Sequence, residues 1–192
     1  KIVHLIEKYG GNSIGLYGSG QLTFEGQYLE SKFMKGVIGS NTMEANARMC
    51  MTSAVTAYFK SLGSDAPPTN YDDIEMCDFL SFWGHNPREA HPIIFWRAVD
   101  YKRENNIPTM IVDPRRTGTV QGFEDVNPEN AYHAQIKPNS DITLLNNIAY
   151  ILLEEHPDVI ANDFMRDNTT GWEAYIDGIK KDFNPARTRD VT

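Results

Sequence analysis

The feature that most constrains the fold is a strand, loop, helix and second strand within residues 79–112. Residues 79–83 (FLSFW) form an almost continuous apolar run that is typical of a buried strand, and residues 109–112 (TMIV) form another. Between them the sequence predicts a loop over 84–92 and an amphipathic helix over 93–106. Two strands joined by a helical crossover lie parallel in one sheet. The sequence therefore predicts an α/β fold with a parallel sheet and flanking helices.

Further elements are predicted on both sides of this run. A loop over residues 63–70, which contains two consecutive prolines, separates two predicted domains, 1–62 and 63–192. Two further helices are predicted over 46–62 and 142–155; the apolar residues of the first lie on one side, and those of the second are expected to face inward. The remaining predictions are a short helix that ends at a Gly-Gly pair near residue 10, a strand at 13–18, a helix at 24–38, a strand at 133–136, and helices at 158–165 and 172–179.

Four polar or glycine-rich segments follow predicted strands. They are residues 18–21, 84–89, 113–116 and 138–141. In open parallel sheets, ligands bind in the crevice beyond the carboxyl ends of the strands. We therefore expect the four segments to converge on one binding site.

The charge of the chain excludes several classes of function. The 192 residues carry a formal net charge of −8 with no basic run longer than two residues, which argues against nucleic-acid binding. No apolar stretch approaches the length of a transmembrane helix, so direct membrane insertion is not expected. The two cysteines, Cys50 and Cys77, are too few for a disulfide framework in a chain of this length.

Cys50 is the first candidate for chemistry. It lies near the predicted start of the helix over 46–62, where the positive end of the helix dipole favours a thiolate. A thiolate is a soft ligand that suits a transition metal with other sulfur ligands. The alternative is a core cysteine, which is the commoner role of a lone cysteine and the one we predict for Cys77. The residue and its position leave both roles open for Cys50.

Several separate motifs lie in a fixed order around Cys50. They are GSGQ at 18–21, KFMK at 32–35, SN at 40–41, NARMCMTSAV at 46–55, YDDIE at 71–75 and WGHNPREA at 83–90. In this order and spacing the chain resembles the molybdopterin oxidoreductases, and within them the catalytic subunits of periplasmic and assimilatory nitrate reductases. The resemblance runs from about residue 12 to about residue 155. It implies a fragment of the central domains of such an enzyme, with a Rossmann-like parallel sheet.

The resemblance also implies a cofactor. In the family, molybdenum is held by two molybdopterin guanine dinucleotides, and Cys50 falls at the position of the metal ligand. Cys50 is therefore the expected catalytic residue and molybdenum ligand, within a cofactor-binding domain at 1–62, and the domain at 63–192 is expected to contact the dinucleotide. The expected cofactor-binding residues are Gln21, Asn46, Cys50, Trp83, Gly84, Asn86, Glu89, Asp113, Arg115, Asn139, Ser140 and Asp141.

The loop residues have a chemistry that suits this role. Gly84 permits close approach of a ligand to the backbone, and Asn86 can both donate and accept hydrogen bonds. Asp113 can bind ribose hydroxyls or a guanine edge, and Arg115 can pair with phosphate. The local alternatives are an ordinary turn after the first strand and, at residues 138–141, a helix N-cap formed by the serine or the aspartate.

Met51 separates the nitrate reductases from their near relatives. Formate dehydrogenases typically place a catalytic histidine directly after the metal-ligating cysteine or selenocysteine, whereas this chain has Met51. The resemblance therefore implies two-electron reduction of nitrate to nitrite, with formate dehydrogenase as the alternative. A nucleotide-binding domain without redox chemistry and a purely structural domain are further alternatives. The loop at 84–89 lacks the Gly-x-Gly-x-x-Gly pattern, which argues against the first of these two.

We interpret the chain as part of a longer protein, because it starts inside an apolar-periodic segment. The resemblance implies that the full-length protein carries a four-iron, four-sulfur cluster outside this fragment. It also implies nitrate as the substrate and an electron-donor protein or subunit as a partner. Residues 113–117 resemble the cytoplasmic assimilatory and formate dehydrogenase members more than the periplasmic ones, which implies a cytoplasmic location, with the periplasm as the alternative. The isolated chain is expected to hold little or no cofactor and to have no nitrate reductase activity.

Overall fold

The computed structural model describes residues 1–192, which form two compact units, Lys1–Thr69 and Asn70–Thr192. The first unit is built around a two-stranded parallel sheet, in which Leu16 pairs with Met43 and Gly18 with Ala45. Its helices and strands are α1 (Ile2–Tyr9), β1 (Leu16–Gly18), α2 (Phe24–Lys32), β2 (Met43–Ala45) and α3 (Ala47–Leu62).

The helix predicted over 24–38 changes its winding partway. Thr23 caps α2 by accepting a hydrogen bond from Gly26 N at 3.2 Å, and after Lys32 the chain continues as a π-helix to Ile38. Gly39 ends it in the left-handed conformation, with φ 76°, which glycine adopts without steric cost. The strand β2 was not predicted, because the three residues of Met43–Ala45 carry no apolar run.

The apolar side of the helix predicted over 46–62 is not buried. None of the residues of α3 is buried, and Phe59 is 57% exposed. The apolar spacing of α3 predicted the helix correctly but not a partner for its apolar side.

The second unit contains a three-stranded parallel sheet with the strand order β3-β4-β5, which confirms the predicted parallel α/β architecture. Leu80 pairs with Thr109, and Thr109 pairs with Ala131. Its elements are β3 (Leu80–Trp83), α4 (Pro87–Ala90), α5 (Pro92–Asn105), β4 (Thr109–Val112), α6 (Gly118–Glu124), β5 (Ala131–Ala134), α7 (Asp141–Glu155), α8 (Asn162–Asn168), α9 (Trp172–Asp182) and α10 (Pro185–Val191).

Four elements of the second unit differ from the predictions. The predicted loop over 84–92 contains the single-turn helix α4, which begins at Pro87 because proline suits the first position of a helix. The helix α6 was not predicted, since its sequence GTVQGFE contains two glycines. The strand β5 lies two residues earlier than predicted, because its register is set by pairing with β4 rather than by its own apolar pattern. The helix α10 was also not predicted.

The core of the second unit lies between the sheet and the helices α5 and α6. Phe95 is fully buried and packs edge-on against Phe123, with ring centroids 5.5 Å apart. Gly122 makes room for this ring, since a Cβ atom there would lie 2.4 Å from Phe95 Cζ. Cys77 packs against this core, as predicted, and its thiol donates to Ile74 O at 3.1 Å. The helix α5 therefore holds β3 and β4 in place through its buried face.

The inward face predicted for the helix over 142–155 is only partly buried. Leu145 is 48% exposed, and Ile148 and Leu152 are exposed as well. The one buried residue of α7 is Asn147, whose Nδ2 donates to Phe183 O at 2.9 Å. None of the helices is both long and apolar enough to cross a membrane.

Candidate functional site

Asn46 joins two of the predicted site segments within the first unit. The Gly18-Ser19-Gly20 turn follows β1, and Gly20 N donates to Asn46 Oδ1 at 2.8 Å. Asn46 N in turn donates to Gly18 O at 3.2 Å. Gln21 is exposed at the end of the turn, and its side chain makes no hydrogen bond within the chain. The turn after β1 and the start of α3 are thus held together by backbone and side-chain bonds.

Cys50 lies one turn into α3, on the same side of the helix as Asn46. The two residues are four positions apart, and the backbone N of Cys50 donates to Asn46 O at 3.3 Å, so they lie on adjacent turns. The thiol is exposed and unpaired, so the role of a core cysteine does not apply to Cys50 in this chain. No group of three or more His, Cys, Asp or Glu side chains converges as a metal cluster. Cys50 is a single, accessible thiol at a helix start.

The carboxyl ends of β3, β4 and β5 meet at one edge of the second sheet. Gly84, directly after β3, has φ 56° and its N donates to Val112 O at 2.8 Å. Asp113, directly after β4, donates its N to Ala134 O at 3.2 Å. The structure thus brings together the ends of these three strands, and the segments 84–89 and 113–116 directly follow two of them. The segment 138–141 lies beyond β5, and 18–21 follows β1 of the other sheet, so the convergence of all four segments stays a prediction.

The loop after β3 is fastened to the first turn of α6. Thr119 Oγ1 donates to Asn86 Oδ1 at 2.7 Å, and Arg88 N donates to Thr119 Oγ1 at 3.1 Å. The Arg88 guanidinium also donates to Gly118 O at 3.0 Å. Gly118 and Thr119 were not predicted as site residues, and only the Thr-Gly-Thr run after Arg116 could have pointed to them.

The two other predicted residues of this loop lie at its ends. Trp83 is the last residue of the edge strand β3 and donates its indole N–H to Ser81 Oγ at 2.5 Å. Glu89 is exposed on α4, and its carboxylate makes no hydrogen bond within the chain. Neither side chain is buried in the core.

The loop after β4 combines a buried carboxylate with a free cation. Asp113 is 7% exposed, and its Oδ1 accepts a hydrogen bond from Arg115 N at 2.7 Å, while Oδ2 has no partner in the chain. The guanidinium of Arg115 is exposed and unpaired, whereas that of Arg116 forms a two-bond ion pair with Glu124. Thr117 Oγ1 is buried without a hydrogen-bond partner. This loop therefore holds both an acceptor and a donor that the chain does not satisfy.

The segment before α7 folds as a tight turn. Asn139 is exposed and takes the left-handed conformation with φ 68°. Ser140 occupies the N-cap position of α7, and Asp141 is the first residue of the helix. The hydroxyl of Ser140 makes no capping bond to the helix and donates to Lys137 O at 2.6 Å. The predicted N-cap position is therefore confirmed for the serine, while side-chain capping is not.

His85 and His91 form a pair at the two ends of the segment between β3 and α5. His85 Nε2 and His91 Nδ1 lie 2.9 Å apart, so one of the two nitrogens carries the shared proton. Burial, and secondly the charge of a protonated His91, lowers the pKa of His85 below its usual 6.5. The folded chain therefore favours neutral His85.

His85 should make the chain less stable as the pH falls below about 6.5. In that range the unfolded chain protonates this histidine while the folded chain keeps it neutral, so the unfolded state binds more protons and folding stability falls with falling pH. Urea unfolding at pH 7, 6 and 5 gives the slope of the free energy of unfolding against pH. From pH 7 to pH 5 this free energy should fall less for His85→Gln than for the parent. The control His156→Gln changes an exposed histidine of the same unit and should retain the parental slope. Equal slopes for parent and His85→Gln would contradict this assignment.

Comparison with known proteins gives one consistent family. The family model of the molybdopterin oxidoreductases matches residues 1–157. A nitrate reductase from Synechocystis is 38% identical over 176 residues, which cover 91% of this chain and 23% of that protein. A periplasmic nitrate reductase from Desulfovibrio desulfuricans is 32% identical over 94% of this chain and 22% of its own length. The chain thus spans roughly a quarter of the length of the curated relatives it matches.

A solved structure shows the same fold. Acetylene hydratase from Pelobacter acetylenicus superposes on the whole of this chain with a TM-score of 0.64. The chain covers 24% of that protein, and the sequence identity is 17%. At this identity the likeness concerns the fold alone.

Proposed function

We propose that this chain, which belongs to the molybdopterin oxidoreductase family, forms part of the catalytic subunit of a nitrate reductase. The observation that carries the proposal is Cys50, an exposed thiol in the first turn of α3 that is followed by methionine rather than histidine. Relatives named nitrate reductase, at 38% and 32% identity over nearly the whole chain, support nitrate as the substrate.

Cys50 is the proposed protein ligand to molybdenum. Its thiol is unpaired, accessible and close to the amino-terminal end of α3. A single thiolate suits a metal whose other ligands are sulfur atoms of a cofactor. When bound, the molybdenum cofactor supplies two-electron chemistry and the transfer of an oxygen atom from nitrate. Asn46 and the turn after β1 hold the helix start, and Gln21 is free to contact the cofactor beside them.

The edge of the second sheet is proposed to bind a guanine dinucleotide. Two unsatisfied groups there fit such a ligand, since Asp113 Oδ2 can accept from ribose or guanine and the Arg115 guanidinium can pair with phosphate. The buried, unpartnered Thr117 Oγ1 lies in the same loop. We assign the metal ligand to a domain at 1–62 and the dinucleotide contacts to a domain at 63–192. The proposed contacts in the second domain are Trp83, Gly84, Asn86, Glu89, Asp113, Arg115, Asn139, Ser140 and Asp141.

The full-length protein is proposed to use two dinucleotides and a four-iron, four-sulfur cluster, and to receive electrons from a donor protein or subunit. A cytoplasmic location is proposed on the sequence of residues 113–117, with the periplasm as the alternative, since a periplasmic nitrate reductase is among the relatives. Formate dehydrogenase remains the alternative activity, because that family shares the metal-ligating cysteine.

The full-length protein should oxidise a reduced dye in the presence of nitrate and should release nitrite. Formate, offered with an oxidised dye, should give no turnover, because Met51 replaces the histidine that follows the ligand in formate dehydrogenases. The 192-residue chain, measured in parallel, should contain almost no molybdenum and show no turnover. Formate oxidation without nitrate reduction would move the assignment to formate dehydrogenase, and stoichiometric molybdenum in the isolated chain would contradict the need for further domains.

A further inference from the structure

Thr119 carries a buried hydroxyl that makes two hydrogen bonds, both with the loop after β3. It lies in the first turn of α6, 33 residues from Asn86 in sequence, and its side chain is fully buried. Oγ1 accepts from Arg88 N at 3.1 Å and donates to Asn86 Oδ1 at 2.7 Å. The bond from the Arg88 guanidinium to Gly118 O, at 3.0 Å, fastens the same two segments a second time.

The direction of these bonds fixes which end of the Asn86 amide faces outward. Arg88 N can only donate, and Asn86 Oδ1 is the only acceptor in the chain that receives a hydrogen bond from Thr119 Oγ1. The buried hydroxyl proton is therefore satisfied only when Asn86 turns its carbonyl oxygen toward Thr119. Its NH2 group points away and makes no hydrogen bond within the chain. An asparagine that could serve as donor or acceptor is thereby set as a donor.

We propose that Thr119 is a positioning residue that fixes Asn86 as a hydrogen-bond donor to an acceptor oxygen of the bound dinucleotide. The acceptor is a phosphate oxygen or a sugar hydroxyl, both of which take a hydrogen bond from an amide NH2. The inference rests on the proposed function, since it needs a dinucleotide at this edge of the sheet. Without Thr119, the amide of Asn86 can flip, and its carbonyl oxygen then faces the acceptor.

The test measures the guanosine monophosphate that acid releases from each mole of purified full-length protein. Thr119→Val keeps the shape of the side chain but removes the hydroxyl, and it should lower this content about fivefold or more at limiting cofactor, as expected for one buried hydrogen bond. Thr119→Ser restores the hydroxyl and should restore the content. Asn86→Ala should lower it similarly, and adding Thr119→Val to Asn86→Ala should cause no further loss.

Three results would overturn the inference. Thr119→Val with the parental content would show that the hydroxyl has no role in binding. A further, full loss when Thr119→Val is added to Asn86→Ala would show that Thr119 acts only through the stability of the fold. A parent protein that contains molybdenum but no guanine nucleotide would overturn the proposed dinucleotide site as well, whereas the first two results leave that site intact. Should the valine variant fail to fold, Thr119→Cys, with its weaker S–H donor, should give an intermediate content, and a parental content would overturn the inference.

Discussion

Replacing Cys50 with serine should abolish nitrate-dependent turnover by the full-length protein. The thiol of Cys50 is exposed and makes no contact that holds the fold, so the variant should fold normally and keep its cofactor. Changing residues that merely orient a metal ligand costs roughly 10–100-fold in affinity or activity, so loss of the ligand itself should exceed about 100-fold. The measurement is the rate of nitrate-dependent oxidation of a reduced dye, normalised to molybdenum content.

Cys77→Ser provides the matched control for this variant. Cys77 is half-buried against the core of the second unit, and its thiol bonds only to Ile74 O. We expect this variant to keep the parental turnover per molybdenum atom. If Cys50→Ser kept the parental turnover, as Cys77→Ser should, Cys50 would have no catalytic role. The proposal that the first unit supplies the molybdenum ligand would then fail.

Phe95→Ala should destabilise the chain more than any other single core change considered. The ring is fully buried, contacts Phe123 edge-on and fills the space that Gly122 leaves open. Truncation of a buried phenylalanine costs about 3–5 kcal/mol, because the loss of buried apolar surface adds to the cost of the cavity. Urea unfolding of the 192-residue chain should therefore show a much lower midpoint.

Ile93→Ala is the control for Phe95→Ala, because Ile93 lies about half a turn away on the same helix and is 82% exposed. Its free energy of unfolding should change by less than about 0.5 kcal/mol. Comparable losses for the two variants would mean that α5 does not bury Phe95 against β3 and β4 as described. Such a result would also remove the basis for the arrangement of the loops at the end of the sheet.

The central sheet was predictable because its strands carry a local signal. The runs at 79–83 and 109–112 are almost continuously apolar, and the helix between them repeats its apolar residues with helical spacing. The strand Met43–Ala45 and the helix Gly118–Glu124 have no such signal. Their structure depends on partners elsewhere in the chain, with β1 as the partner strand in the first case.

The identities of the candidate site residues came from motifs, but their connections did not. The bond from Gly20 to Asn46 spans 26 residues and the bond from Thr119 to Asn86 spans 33, and neither leaves a pattern in the sequence. The exposed apolar faces of α3 and α7 show what helical spacing does not predict. Helical spacing predicts that a face is apolar, while the partner that would cover it is not encoded in the same segment.

The most direct test of the account is X-ray absorption at the molybdenum edge of the full-length protein and its Cys50→Ser variant. If Cys50 is the metal ligand of a nitrate reductase, the parent should show one more sulfur neighbour than the variant, in which an oxygen takes its place. The other sulfur neighbours, supplied by the cofactor, should be the same in both proteins. An identical molybdenum environment in the two proteins would show that Cys50 does not bind the metal and would contradict the central claim.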